Sequence, residues 1–373
     1  MQSSTAVAND IVLVAGARPN FMKLAPLLRE LARREVHATL VHTGQHRGHE
    51  MSGVFFEQLG IPTPHVQLEL GSTGHGVQAA QIIKAFEEYL AARSARPRAV
   101  VVIGDVTSTV ACALAAKKHG IPVAHVEAGL RSFDTTMPEE INRIVTDAVA
   151  DLLLVSEPAA LDNLAREGIP AARVHYCGNV MIDSLVHQLD AARALDMPGR
   201  LGVARGAYAV ATLHRPSNVD APERLSKLVE LLQWLGTELP VLFPVHPRTA
   251  RKLDELGLSD ALARDGRARL LRPLGYREFL GLMDGARLVI TDSGGIQEET
   301  TYLGIPCVTL RTTTERPITV SHGTNTLAGD DPERALRICT SLLSDRGSRP
   351  RSIAGWDGHA AIRVVDALAD YRA

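Results

Sequence analysis

Several side chains stand directly after apolar runs, the places where a sheet presents acids, bases and anion ligands to a bound molecule. Asp105 follows VVVIG, Glu127 follows PVAHV, His214 follows YAVATL, His246 follows VLFPV, Ser293 follows LVITD, and Arg18 lies just past IVLVAG. Glu127 precedes a small residue and a glycine in HVEAGLR, where a carboxylate costs free energy unless it is paired or put to use. Ion pairing with Arg131 or Arg143 is its structural alternative. Glu139 in MPEEINR comes just after Pro138, which suits the first position of a helix, so it serves either as a third acid or only as a partner of the helix dipole. A lone histidine at a strand end is more often structural than catalytic. Two of them, His214 in TLHRPSN and His246 in FPVHPR, alongside an acidic set favour a functional role.

The segment TDSGGIQEE, Thr291 to Glu299, runs from a strand into Gly294 and Gly295 and then into a helical stretch. Backbone N–H groups at such a helix start, with the Ser293 hydroxyl, would hold a phosphate, and adjacent glycines permit the close approach. The alternative makes Ser293 an N-cap completed by Gln297 or the nearby acids. Glu298 or Glu299 would then accept the hydroxyls of a ribose or stay a solvated first-turn acid. Arg18, Lys23 and Arg316 are the cations available to a pyrophosphate. No HExxH or zinc spacing joins the histidines, including His42, His46 and His49, and no GxGxxG follows a strand, so neither a metal nor a nicotinamide is expected.

Carboxylates, histidines and a phosphate grip together suit a sugar whose C1 carries a nucleoside diphosphate. Its C2 proton has no adjacent carbonyl, so a base can remove it only if the diphosphate leaves at the same time. Cations and helix N–H groups would stabilise that leaving group. Return of a proton to the opposite face, with re-addition at C1, would invert C2 and requires a second acid and exclusion of water.

The elements that must position these residues alternate regularly: IVLVAG, a helix from Pro19 to about Arg34, HATLVHTG, AVVVIGD, a helix near Thr107 to His119, then PVAHVEAG. Continuous apolar runs imply parallel strands covered on both faces. The pattern pauses around Ala191 to Gly206 and restarts with YAVATLH, VLFPVH, ARLVITDSGG and PCVTL. At 373 residues two domains are expected, both α/β and doubly wound: 1–179 carrying the acids and joined by a terminal helix 358–373, and 180–357 carrying the phosphate grip. A formal charge of −2 and only 4% aromatic residues give no pull toward nucleic acid. No run is long enough to span a membrane and the first residues lack a signal-peptide pattern, so no membrane association and a cytoplasmic location are expected. Cys112, Cys177, Cys307 and Cys339 are scattered and expected as reduced core thiols.

GARPNFMKLAP, TGQHR, GDVTST, HVEAGLRSFDTTMPEEINR, GNVMID, TLHRPSN, PVHPR, TDSGGIQEE and TERP, in order from about residue 11 to residue 360, resemble the non-hydrolysing UDP-N-acetylglucosamine 2-epimerases. The resemblance implies two Rossmann-like domains of the GT-B type with the active site in the interdomain cleft. It also implies reversible conversion of UDP-GlcNAc to UDP-ManNAc through a 2-acetamidoglycal, without cofactor, by a homodimer serving polysaccharide biosynthesis. Asp105, Glu127 and Glu139 take the acid/base positions and His214 that of the catalytic histidine. Arg18, Lys23, His246, Ser293, Gly294, Gly295 and Arg316 would hold the diphosphate or hexosamine, Glu299 the ribose and Phe279 the uracil, while Gln45 and His46 would hold an allosteric second UDP-GlcNAc. The alternatives are a C2 epimerase of a UDP-2,3-diacetamido uronic acid, a hydrolysing epimerase, a GT-B glycosyltransferase and a non-catalytic nucleotide-sugar sensor.

Overall fold

The computed structural model describes residues 10–45, 56, 58–68, 70–71, 74–264, 266–345 and 352–371. The chain divides into two compact units, Met1–Ser184 with Ala354–Ala373, and Leu185–Ile353.

In the first unit the elements run β1 (Ile11–Ala15), α1 (Arg18–Arg33), β2 (Ala38–His42), β3 (Val66–Gln67), α2 (His75–Ala91), β4 (Ala99–Ile103), α3 (Thr107–Lys118), β5 (Val123–Ala128), α4 (Pro138–Val149), β6 (Leu152–Val155), α5 (Pro158–Arg166) and β7 (Val174–Tyr176). α6 (Val180–Ala194) carries the chain onward. The strands form one parallel sheet in the order β3-β2-β1-β4-β5-β6-β7. Every residue of β4 is buried, as a strand with helices on both faces must be. Ile82 and Phe86, one helical turn apart on α2, are fully buried in the core over this sheet. α3 packs between α2 and α4, and its buried small residues Ala111, Cys112, Ala113, Ala115 and Ala116 allow the neighbours to come close.

The second unit contains β8 (Ala209–Thr212), α7 (Pro222–Glu238), β9 (Val241–Pro244), α8 (Pro247–Glu255), β10 (Ala268–Leu271), α9 (Tyr276–Asp284), β11 (Leu288–Thr291), α10 (Gly294–Leu303), β12 (Cys307–Thr309), β13 (Asn325–Leu327) and α11 (Pro332–Ser344). Its sheet is again parallel, in the order β10-β9-β8-β11-β12-β13.

α12 (Ala360–Asp370) belongs to the first unit. The Asp183 carboxylate accepts the N–H groups of Ala360 and Ala361 at 3.0 and 2.7 Å, an anion seated on the start of that helix. Arg34 pairs with Asp366 at 2.6 Å farther along. The four cysteines are free and buried, and burial pushes the Cys307 thiol up to about 11.

Both sheets reverse their direction of winding at a switch point, between β1 and β4 in one unit and between β8 and β11 in the other. Ligands of such sheets bind beyond the carboxyl ends of the strands at these points. The chain leaves those four strands at Arg18, Asp105, His214 and Ser293, residues whose types already marked them in the sequence.

Candidate functional site

In the first unit, Asn20 ties the exits of β1 and β4 together. Its Oδ1 accepts the N–H groups of Gly16 and Ala17 at 3.1 and 3.0 Å, and its Nδ2 donates to the Ile103 carbonyl at 2.9 Å. Glu127 is set by backbone geometry. The ladder between β5 and β6 shifts register between Val126 and Ala128, which makes Glu127 a bulge residue, and its φ is 70°. That left-handed conformation costs a non-glycine residue about 1–2 kcal/mol, and bulges of this kind re-aim a side chain. The Glu127 carboxylate pairs with the Lys23 ammonium, and both are buried. Arg131 and Arg143, the partners the sequence offered for Glu127, have other carboxylates: Arg131 pairs with Asp147 and Glu167, Arg143 with Asp105 and Glu140.

Asp105 is half-buried at the end of β4. Arg143 donates to its Oδ2 from Nε at 3.0 Å and from Nη2 at 2.7 Å, and Asn142 donates to its backbone carbonyl at 2.8 Å. Glu139 lies exposed in the first turn of α4, whereas its neighbour Glu140 is buried and accepts the N–H groups of Ser132 and Phe133 at 2.9 and 2.8 Å. Local sequence pattern does not reveal the chain Glu140–Arg143–Asp105. Its only local signal is the i, i+3 spacing of Glu140 and Arg143.

Arg18 opens α1, but its side chain lies outside the described residues, as does all of His46. Gln45 lies within them: its side-chain carbonyl accepts from the N–H and hydroxyl of Ser108, at 3.0 and 2.7 Å, in the first turn of α3.

In the second unit, Asp292, absent from the sequence-derived set, is the organising acid. It is buried and accepts the N–H groups of His214 and Arg215, at 3.1 and 3.0 Å to Oδ2, and the Asn218 amide at 3.1 Å. The His214 Nδ1 lies 2.9 Å from its Oδ1. Burial alone would push the Asp292 carboxyl up, but the His214 contact and the other donors hold it below its usual range. It is therefore a carboxylate, and the His214 Nδ1 donates to it. Its signal in the sequence is an acid two residues before the Gly294–Gly295 pair, at the end of an apolar run. His246 is exposed and caps α8, its Nδ1 accepting the Arg248 N–H at 3.2 Å. The two imidazoles lie 6.0 Å apart, with their planes 45° from each other. In the neutral forms, the Nε2 of His214 is left as an acceptor and that of His246 as a donor.

Ser293 occupies the N-cap position of α10, yet its side chain makes no capping hydrogen bond. Gln297, its expected partner in a capping arrangement, donates from Nε2 to the Ser293 carbonyl at 3.2 Å, while its Oε1 accepts from Thr314 and Asn325 at 2.7 and 2.9 Å. Gly294 and Gly295 form the half-buried start of the helix. A Cβ at Gly294 would lie 2.7 Å from Glu315 Oε1 and 2.9 Å from Arg316 Nη1, so only glycine lets the guanidinium reach the helix start. Arg316 is buried and paired with Glu298 at 2.9 Å and Glu315 at 2.5 Å.

Glu299 has a different partner. Tyr276 on α9 donates to its Oε1 at 2.9 Å. Burial pushes the Glu299 carboxyl up to about 7, with the Tyr276 hydrogen bond opposing and the Glu298 charge adding to the shift. Burial and the facing Glu299 push the Tyr276 phenol well above its usual range, which keeps it a donor. Phe279, three residues along α9 on the same face as Tyr276, is half-buried. Among the described residues no cluster of three or more His, Cys, Asp or Glu is placed to hold a metal ion, and no helix is long and apolar enough to cross a membrane.

A family model described as UDP-N-acetylglucosamine 2-epimerase matches residues 29–369. The UDP-N-acetylglucosamine 2-epimerase of Methanococcus maripaludis is 40% identical over 338 residues, spanning 89% of this chain and 91% of its own. The UDP-2,3-diacetamido-2,3-dideoxy-D-glucuronate 2-epimerase of Pseudomonas aeruginosa is 38% identical over 363 residues, 96% of this chain and 99% of its own. Among solved structures, that of Methanocaldococcus jannaschii UDP-GlcNAc 2-epimerase in complex with UDP-GlcNAc and UDP matches with a TM-score of 0.87 at 37% identity, covering 96% of this chain and 99% of that one. The two Rossmann-like units are those of the GT-B type seen in these neighbours. With the family model covering most of its length and relatives at this identity, the chain belongs to the UDP-N-acetylglucosamine 2-epimerase family.

Proposed function

We propose that this protein is a non-hydrolysing epimerase that interconverts UDP-GlcNAc and UDP-ManNAc by elimination and re-addition of UDP. The observation that carries the reading is the pairing of each strand-end acid with a cation, Asp105 with Arg143 and Glu127 with Lys23, on the adjacent strands β4 and β5. Each carboxylate is thereby held in one orientation, as proton transfer at a fixed carbon requires.

In this mechanism one acid of the Asp105, Glu127 and Glu139 set removes the C2 proton as the C1–O bond breaks. The diphosphate departs toward the N–H groups of Gly294 and Gly295, the Ser293 hydroxyl and Arg316, with Arg18 as a further cation. His214, held by Asp292, is the catalytic histidine that assists proton transfer, and His246 contacts the diphosphate or the hexosamine. Glu299 accepts the ribose hydroxyls and Phe279 covers the uracil. A second acid protonates the 2-acetamidoglycal on its other face as UDP returns to C1.

The test is incubation with UDP-GlcNAc in deuterated water without an acceptor. Deuterium at C2 and a mixture of the two UDP-sugars are expected. Free sugar with UDP would indicate hydrolysis, and absence of exchange would point to a transferase or a binder. Asp105→Asn is expected to abolish exchange while UDP still binds. The Pseudomonas aeruginosa relative, 38% identical over 96% of the chain, makes a UDP-2,3-diacetamido uronic acid the second substrate to try.

A further inference from the structure

Behind the acids of the first unit lies a buried group to which the mechanism above gives no part. His125 on β5 is completely buried, with Nδ1 2.6 Å from Asp147 Oδ1 and Nε2 2.8 Å from the carbonyl oxygen of Gly104. A carbonyl only accepts, so Nε2 carries a proton. Asp147 on α4 also accepts the Gly129 N–H at 3.0 Å and Arg131 Nη1 at 2.7 Å. Burial alone would push the Asp147 carboxyl up, but His125 and Arg131 outweigh it and hold the group below its usual range. Independently of His125, Asp147 Oδ2 accepts both a backbone N–H and a guanidinium, the partners of a carboxylate, so Oδ1 accepts as well and the His125 Nδ1 facing it carries a proton.

We infer that His125 is a buried imidazolium that, with Asp147, acts as a positioning pair holding the turn that bears Asp105 in register with the turn that bears Glu127. The pair grips both turns. His125 holds Gly104, the residue before Asp105, and Asp147 holds Gly129, two residues after Glu127. Charge balances around it, because Arg131 bridges Asp147 to Glu167 at 2.7 and 2.6 Å, so two cations face two carboxylates. Arg173 approaches Asp147 only at its backbone carbonyl, at 3.2 Å.

The Asp105 turn is fixed carbonyl by carbonyl. Asn20 and Thr109 donate to Ile103, His125 donates to Gly104 and Asn142 donates to Asp105, all at 2.8–2.9 Å. Gly104 has a φ of 67°, and a Cβ there would lie 3.2 Å from Glu127 Oε2 and 3.3 Å from Lys23 Nζ. The residue gripped by His125 therefore lies against the Glu127–Lys23 pair. A neutral imidazole could satisfy only one of the two acceptors and would release one turn.

The consequence for turnover rests on the proposed epimerase reading, but the protonation state does not. In the full-length protein labelled with 15N-histidine, NMR is expected to show one ring with two slowly exchanging N–H protons at neutral pH, lost in His125→Gln. A single ring N–H for His125 would overturn the imidazolium. His125→Gln keeps a donor for Gly104 but removes the charge, and it is expected to slow C2 deuterium exchange by about 10–100-fold while UDP affinity stays within about twofold. Asp147→Asn should have the same split effect. Unchanged exchange in a folded variant would overturn the positioning role. Absence of exchange in the wild-type protein would remove the epimerase reading alone, with the NMR result still deciding the charge. Should His125→Gln fail to fold, Asp147→Asn and the wild-type spectrum keep the test intact.

Discussion

Arg143 presents one edge of its guanidinium, Nε and Nη2, to a single oxygen of Asp105, at 3.0 and 2.7 Å, while Nη1 of the same group pairs with Glu140. Glu140 in turn holds the backbone of Ser132 and Phe133, so the orientation of Asp105 depends on the β5–α4 connection as well as on its own strand. Lysine cannot reproduce this planar fork. Arg143→Lys is expected to lower the rate of C2 exchange by about 10–100-fold with UDP affinity unchanged, measured by NMR exchange and calorimetry. Equal loss in both would assign Arg143 to general stability.

Asp292 fixes the imidazole of His214 by a hydrogen bond to Nδ1. Asp292→Asn presents either an amide N–H to that nitrogen or a weaker, neutral acceptor, so the ring loses its tautomer or its anchor. Exchange should fall by about 10²–10⁴-fold in a protein whose melting temperature shows that it is folded. Wild-type turnover in this variant would take His214 out of the proton-transfer chemistry.

Glu299 gives a signed pH dependence. Its carboxyl is raised from 4.5 to about 7 in the folded chain, so its contribution to stability is full below pH 4.5 and is lost as pH rises through about 7. At about 1.4 kcal/mol per unit, that interval amounts to ~3 kcal/mol at most. Denaturation of Glu299→Gln against wild type should therefore show the variant gaining relative stability across this window. A ribose-accepting carboxylate must be ionised, so UDP-GlcNAc affinity should strengthen as pH rises through about 7 in wild type and stay flat in the variant. A pH-independent difference in both measurements would contradict the assignment.

Gly294→Ala inserts a methyl group where Glu315 and Arg316 now lie, 2.7 and 2.9 Å from the new carbon. The atoms met are the ends of the Glu315 and Arg316 side chains, so the strain should be relieved by their displacement and the backbone of the helix start should hold. The displaced guanidinium should weaken UDP binding by about tenfold, or ~1.4 kcal/mol, in a calorimetric titration. Unaltered affinity would separate Arg316 from the diphosphate grip.

Much of this protein could be read from its sequence because the signals are local. Apolar runs such as VVVI and LVIT mark strands buried on both faces, a polar residue placed directly after such a run falls at a strand end, and adjacent glycines mark a helix start that a ligand can approach. Asp105, Glu127, His214 and Ser293 were identified on those grounds. Which strand ends become neighbours was decided by the sheet order, in which β4 lies beside β1 and β11 beside β8. Tertiary structure also chose the ionic partners. Lys23 meets Glu127 across 104 positions and Arg143 meets Asp105 across 38, separations that no helical or strand periodicity encodes. It likewise turned Glu140 inward and left Glu139 exposed, and it recruited Asp292, whose role depends on the backbone of His214 arriving from another strand. Side-chain type and local pattern suffice to place a residue at the edge of a sheet, but the charge facing it is set by distant segments brought together only when the sheets close their cores.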